Sequence, residues 1–313
     1  MIVIAEQQIR EILNHRSLID ALATGFRERY EQPDRHHHFY RPAGSSENTL
    51  LLMPAWNDTY IGVKQVVSAP GNGAKGIPTI HGLYSLMDAR TGQLMAVMDA
   101  GRLTAIRTAC ASALAARYLA PAHPTTLLVI GGGKVASELI PAHLAVRDYQ
   151  KVLVWTRRKE AFDTFKRGLL PLSVPVIWER HLEEAVRKAD VISCATLSEV
   201  PLVKGAWLRA GQHLDLIGSF KMGMREADNL AVSKSSIFVD SRYGALNESG
   251  ELGIPAREGV IGQRDILADI KELCREEHDG RTTPEEITLF KSVGLAIEDL
   301  VAASLVYKSV SSR

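Results

Sequence analysis

The hydrophobic positions follow two different rhythms along the chain. Up to about residue 118 a helical stretch gives way to extended runs and glycine-rich turns. From about 125 to 290 short apolar runs alternate with helical stretches. Leu18, Leu22 and Phe26 recur every four residues, which predicts one helix face within 6–30, with 14–17 as a break. The runs 49–54, 60–68, 79–88 and 93–98 read as strands, the last two joined through Ala89-Arg90-Thr91-Gly92 as a β-hairpin. The alanine-rich stretch 104–119 reads as a helix capped by Thr104 and packed through its alanine face.

In the second regime strands are expected at 125–130, 151–155, 174–178, 190–195, 213–217 and 236–240. Helices fall after the first of these and at 159–169 and 182–188. This alternation implies βαβ units and an α/β fold, a Rossmann-type doubly wound parallel sheet. A last long helix is expected over 284–307, capped by Thr283 with Glu286 three residues on.

Composition narrows the function classes. The chain has 313 residues, 46% hydrophobic and 23% charged, which suits a soluble globular protein of about two domains. Lys plus Arg is 37 against 36 Asp plus Glu, a net charge of +1, so neither a generally basic nucleic-acid binder nor a polyacidic protein is indicated. No apolar run is long enough for a transmembrane helix, and Glu6 interrupts the N-terminus too early for a signal peptide. Cys110, Cys194 and Cys274 are few and far apart, which fits reduced thiols in a cytoplasmic protein and excludes a disulfide framework or cysteine zinc site. His36, His37 and His38 are neighbours in an extended segment, where side chains alternate faces, so they chelate one metal ion poorly; no metal is expected. Trp56, Trp155, Trp178 and Trp207 read as packing residues, Cys194 as an inert strand residue, and 271–281 as a solvated helix end and loop.

The string Gly131-x-Gly133-x-x-Ala136 follows a strand and opens a helix, the context that a dinucleotide fingerprint requires. Gly131 permits the tight turn, Gly133 lets the backbone approach a pyrophosphate, and Ala136 allows helix–strand packing. Lys134 and Val135 carry the first N–H groups of the helix, where its dipole favours phosphate. Val135 after Lys134 and the wrong loop spacing exclude a Walker-type loop. The end of the second strand reads Trp155-Thr156-Arg157-Arg158-Lys159 with no carboxylate before Glu160. Cations there suit the 2′-phosphate of NADPH over the bare ribose of NADH, which is kept as the alternative cofactor; solvated helix-start cations are the plainer reading. Thr196, at the carboxyl edge of the fourth strand of this series, either lines the nicotinamide ribose or caps the next turn.

Several motifs resemble the ornithine cyclodeaminase/mu-crystallin family. They are Asp99-x-x-x-Leu103-Thr104-Ala105-Ile106-Arg107-Thr108-Ala109, Gly62-Val63-Lys64, Pro70-Gly71-Asn72, Gly76-Ile77-Pro78-Thr79 and Phe290-Lys291-Ser292-Val293-Gly294-Leu295-Ala296-Ile297-Glu298-Asp299. They fall in order over nearly the whole chain. The resemblance implies a discontinuous α+β substrate-binding and dimerisation domain, 1–118 with 291–313, around an NAD(P)-binding Rossmann domain, 119–290. It also implies a homodimer; the charge balance and the lack of a long apolar run give no nucleic-acid or membrane partner.

The resemblance makes Arg41 the substrate-carboxylate arginine, a role a planar guanidinium suits. From pattern alone Lys64, within an apolar strand, is either a surface residue or an inward-pointing ammonium; the matching motif makes it functional. Arg107 and Thr108 are set against the substrate carboxylate and the cofactor, and Thr79 at a cofactor contact. One departure decides the branch. Cyclodeaminases carry an aspartate where this chain has Phe220 in Leu216-Ile217-Gly218-Ser219-Phe220. Without that carboxylate, an NAD-dependent ammonia lyase acting on ornithine is disfavoured. The segments Gly218–Phe220, Met224-Arg225-Glu226-Ala227-Asp228, Asp240-Ser241-Arg242 and Ala245–Gly250 look like the Δ1-pyrroline-2-carboxylate reductases of the family.

The expected reaction is therefore NAD(P)H-dependent reduction of a small cyclic imino acid. Δ1-Pyrroline-2-carboxylate would give L-proline, and Δ1-piperideine-2-carboxylate would give L-pipecolate. Lys64 is the expected proton source, and Ser219 a hydrogen-bond partner of the amine or the nicotinamide carboxamide. A ketimine- or alanine-type dehydrogenase and a non-enzymatic NADPH-dependent ligand-binding protein are the remaining alternatives.

Overall fold

The computed structural model describes residues 1–169 and 171–312. The chain divides into two compact units, Met1–Arg107 with Leu295–Arg313, and Thr108–Gly294. The division falls inside the alanine-rich helix, between Arg107 and Thr108.

In the first unit β1 (Ile2–Ile4) precedes two short helices, α1 (Glu6–Ile12) and α2 (His15–Arg27). The break between them has a local cause: the Asn14 side chain accepts from the N–H groups of Arg16 and Ser17 and caps α2. Strands β2 (His36–Tyr40), β3 (Asn48–Trp56), β4 (Tyr60–Ser68), β5 (Ile80–Asp88) and β6 (Leu94–Asp99) follow. They form a six-stranded sheet in the order β1-β6-β5-β4-β3-β2, antiparallel except for the β1–β6 pair. Asp88 Oδ1 accepts from Arg90 and Thr91 and closes the β5–β6 turn.

Helix α3 (Ala100–Leu119) starts four residues before the expected cap. The Asp99 carboxylate accepts from the Arg102 N–H at 2.8 Å and caps it, which leaves Thr104 in the second turn. Alanines 105, 109, 111, 113, 115 and 116 are buried, as close helix packing requires.

The second unit carries an eight-stranded, all-parallel sheet. Its elements are β7 (Thr126–Ile130), α4 (Lys134–Leu144), β8 (Lys151–Trp155), α5 (Lys159–Arg167), β9 (Val176–Trp178), α6 (Leu182–Lys188), β10 (Val191–Cys194) and β11 (His213–Leu216). Then come α7 (Asn229–Ser233), β12 (Ser236–Val239), α8 (Arg242–Asn247), α9 (Gly250–Arg257), β13 (Ile266–Asp269), α10 (Ile270–Cys274) and β14 (Thr288–Lys291). The strand order is β13-β12-β14-β11-β10-β7-β8-β9. The direction of winding reverses between β7 and β10, so their carboxyl ends form the switch point where such sheets bind ligands. Leu128, Ile130, Ile192, Cys194, Leu214, Leu216, Val239 and Leu289 belong to its core.

The expected helix 284–307 is corrected by the structure. Thr283 and Glu286 do exchange their capping bonds, but only around a turn. Thr288–Lys291 is instead the strand β14, fully buried and paired in parallel with β11 and β12. The capping signal is local, whereas two open strand edges decide the fate of the following residues. The last helix, α11 (Ala296–Ser311), belongs to the first unit and packs on α2 and on β3–β5. The segment 271–281 is also less solvated than expected. Leu273 and Cys274 are buried, and the Arg281 guanidinium donates to the carbonyls of Leu119 and Gln212.

Candidate active site

In the second unit, β7 runs directly into Gly131-Gly132-Gly133 and α4. Gly131 has φ +129°, and a Cβ there would come within 2.6 Å of the Ala195 carbonyl oxygen, so only glycine fits. A Cβ on Gly133 would meet nothing within 4 Å, which leaves its backbone open to a ligand. No side chain caps α4. The N–H groups of its first turn, at Lys134 and Val135, are therefore offered to an anion together with the helix dipole. A cavity of about 540 Å³ opens here, lined by Gly132, Gly133, Lys134, Ser137 and Arg158 among others. This cradle fits the pyrophosphate and adenosine side of a dinucleotide.

Thr156 Oγ1 donates to the Arg158 carbonyl at 2.8 Å and fixes the turn after β8. Arg157 and Arg158 are both exposed, and Arg158 lines the cavity. Across the switch point, Thr196 N–H and Oγ1–H donate to Glu226 Oε1 at 2.7 and 2.8 Å. Ser219 differs from expectation. It is fully buried, and its hydroxyl donates to the Met224 carbonyl and contacts Ser249 Oγ at 2.8 Å, so the hydroxyl is engaged within its own loop. Burial pushes the Cys194 thiol up, away from thiolate chemistry.

In the first unit, Tyr60, Gly62 and Lys64 alternate inward along β4, and Lys64 pairs in register with Met53 and Tyr84. Lys64 is 3% exposed and Arg107 4%. Both reach Asp299: Lys64 Nζ donates to Oδ2 at 2.7 Å and Arg107 Nε to Oδ1 at 3.0 Å. Arg107 Nη1 also donates to Glu298. Glu298 and Asp299 occupy the first turn of α11, where the helix dipole favours carboxylates. Two cations and two carboxylates thus neutralise one another away from water.

Burial and the neighbouring Arg107 pull the Lys64 ammonium down to about 8, with Asp299 opposing them. Against the cost of burial, Asp299 and Glu298 hold the Arg107 guanidinium firmly charged. Tyr84 OH is buried, and among the described residues it has no hydrogen-bond partner. Burial and the nearby Asp299 push its hydroxyl well up.

Arg41 does not join this cluster. It lies beyond the end of β2, 67% exposed, with Glu47 Oε2 at 3.6 Å. Arg35, before β2, adds a small downward push on the Lys64 ammonium. Thr79 is exposed in the bend before β5, where its carbonyl accepts from Ala69 N–H, while Thr108 is half-buried on α3. Asp299 and Glu298 were legible only as letters of a motif, because no pattern around them signals a partner 192 residues away on α3. No group of three His, Cys, Asp or Glu among the described residues is placed to hold a metal ion.

Residues 1–313 match the ornithine cyclodeaminase/mu-crystallin family as a whole. The chain belongs to this family. Among its relatives is a Delta(1)-pyrroline-2-carboxylate reductase of Colwellia psychrerythraea, 34% identical over 99% of this chain and 100% of the relative. A Thermococcus litoralis Delta(1)-pyrroline-2-carboxylate reductase, solved with NADH and L-proline, superposes with a TM-score of 0.93 at 32% identity, covering 100% of this chain and 98% of that one. An archaeal alanine dehydrogenase dimer with bound NAD gives 0.89 at 32% identity, covering 100% and 96%. Family membership places the fold; the reaction depends on the site's own residues. No helix among the described residues is long and apolar enough to cross a membrane.

Proposed function

We propose that this family member reduces Δ1-pyrroline-2-carboxylate to L-proline, with Δ1-piperideine-2-carboxylate as a second substrate giving L-pipecolate. The observation that carries the reading is the buried Lys64 ammonium, lowered toward neutral pH and held beside Arg107 by one shared carboxylate. The 34% identical Colwellia enzyme and the Thermococcus enzyme with NADH and L-proline support it.

A reduced nicotinamide, when bound, supplies a hydride to the imine carbon. The protein supplies the rest. Gly131 and Gly133 admit the nucleotide backbone, and the first turn of α4 binds its phosphates. Arg107, fixed in charge and direction by Asp299 and Glu298, attracts the substrate carboxylate. Lys64 Nζ gives a proton to the ring nitrogen, so that hydride addition to carbon leaves a neutral ring amine, with Lys64 as a neutral amine to be reprotonated from water. Asp299 aims the ammonium and sustains its protonation.

NADPH is the proposed preferred nucleotide, since Arg157 and Arg158 stand after β8 where an acidic residue would otherwise meet a ribose hydroxyl. A homodimer is proposed as the assembly, in line with the dimeric archaeal alanine dehydrogenase. The test is NADPH or NADH consumption with pyrroline-2-carboxylate, piperideine-2-carboxylate, or pyruvate plus methylamine, beside ammonia release from ornithine and NAD. Proline formation with NADPH is the expected result. Turnover of the open-chain imine alone, or ammonia from ornithine, would overturn it.

A further inference from the structure

The nucleotide reading accounts for the half of the switch point around β7 and β8. The other half is organised by a buried carboxylate that no part of the mechanism uses. Glu226 is wholly inaccessible, yet its side chain reaches the ends of two neighbouring strands. Oε1 accepts from Thr196 N–H and Oγ1–H, just past β10, and Oε2 accepts from Gly218 N–H at 2.7 Å, just past β11. Gly218 must be glycine for this approach: a Cβ would come within 2.1 Å of the Thr196 carbonyl oxygen and 2.5 Å of Glu226 Oε1. Glu226 is itself anchored, because its own N–H donates to Glu251 Oε2 at 2.8 Å. From β14, Lys291 Nζ donates to the carbonyls of Leu216 and Ser219 at the end of β11.

We infer that Glu226 is a positioning residue for the nicotinamide half of the bound nucleotide: it ties the ends of β10 and β11 together and so sets the backbone edge that this half meets. The inference rests on the nucleotide reading above. In a doubly wound sheet the dinucleotide crosses the switch point, one mononucleotide on each side. The adenosine side lies over β7 and β8, so the nicotinamide side lies over β10 and β11, whose ends Glu226 joins. A carboxylate with three donors on two strands has no equivalent in an amide. Glutamine would turn an NH2 group toward a backbone N–H and lose at least one of these bonds.

Burial and Glu251 push the Glu226 carboxyl up to about 7, while Lys291 and the donors at Thr196 and Gly218 pull the other way. The Cys194 thiol of β10 also feels this charge.

The test is direct binding, without turnover. Wild type and Glu226→Gln are titrated with NADPH and with 2′-phospho-ADP-ribose, which lacks the nicotinamide. NADPH affinity should fall about tenfold in the variant, the effect of one buried charge-assisted bond, while the fragment's affinity stays unchanged. Thr196→Val, which removes only the hydroxyl donor, should show the same selectivity at about threefold, with Thr196→Ser restoring wild-type binding; this pair decides the matter where Glu226→Gln does not fold. Equal losses for both ligands, or no loss for NADPH, would overturn the inference. A wild type that binds neither ligand would instead refute the nucleotide reading itself.

Discussion

Four cations carry the proposed chemistry of this protein, and they sit in opposite environments. Lys64 and Arg107 are buried and matched charge for charge by Asp299 and Glu298. Arg157 and Arg158 stand exposed at the end of β8, and Arg158 lines an open cavity. The difference assigns the work. A buried ammonium has a fixed direction and a proton affinity set by its neighbours, which suits proton transfer. An exposed guanidinium keeps its hydration and adapts to a ligand, which suits gripping a phosphate but not tuning a reaction. Substitutions at the two pairs should therefore fail in different ways.

The largest effect is expected at the buried pair. Lys64→Ala, assayed with saturating NADPH, should lower kcat by about 100- to 10,000-fold, the usual contribution of a positioned acid. Near-normal turnover would remove Lys64 from the mechanism. At the exposed pair, Arg157→Glu should raise the KM for NADPH about 10- to 100-fold, as expected for losing a charge-assisted bond and gaining repulsion, with a much smaller change for NADH. Equal changes for both nucleotides would refute the 2′-phosphate reading and erase the contrast. Ser219→Ala tests a different kind of burial. It should cost about 1–3 kcal/mol of stability, seen as a lower Tm, with KM for both ligands unchanged, because its hydroxyl serves the loop. The smallest effect is expected at Arg41: Arg41→Ala should change kcat/KM by only a few-fold, as for other exposed ion pairs of about 0–1 kcal/mol.

The same contrast explains what the sequence disclosed. The glycine turn, six of the eight strands of the parallel sheet and the cations after β8 are local signals, readable from residues within one βαβ unit, whereas β13 and β14 are not. Lys64 was legible as an anomaly, a charge inside an apolar strand. Its partners were not. Asp299 meets Lys64 across 235 residues and lies in the first turn of a helix whose start was placed twelve residues too early. That error arose at Thr283 and Glu286, where a genuine reciprocal turn imitates a helix start. β14 was hidden by it, since a strand inserted between two others is fixed by neighbours remote in sequence. Arg41 and Ser219 show another limit: their residue types suit a ligand, but the sequence does not tell that Arg41 lies outside the buried cluster or that the Ser219 hydroxyl is bonded within its loop.

The central claim is that Lys64 donates a proton from a setting that Asp299 controls, and the pH dependence of kcat/KM for pyrroline-2-carboxylate with NADPH tests it most directly. The ammonium is pulled down to about 8 by burial and Arg107, while Asp299 holds it up. Activity that needs protonated Lys64 should therefore fall as pH rises through about 8, and Asp299→Asn, which removes the supporting negative charge, should move that fall to lower pH. An alkaline limb that stays in place in Asp299→Asn, or that persists in Lys64→Ala, would contradict the account.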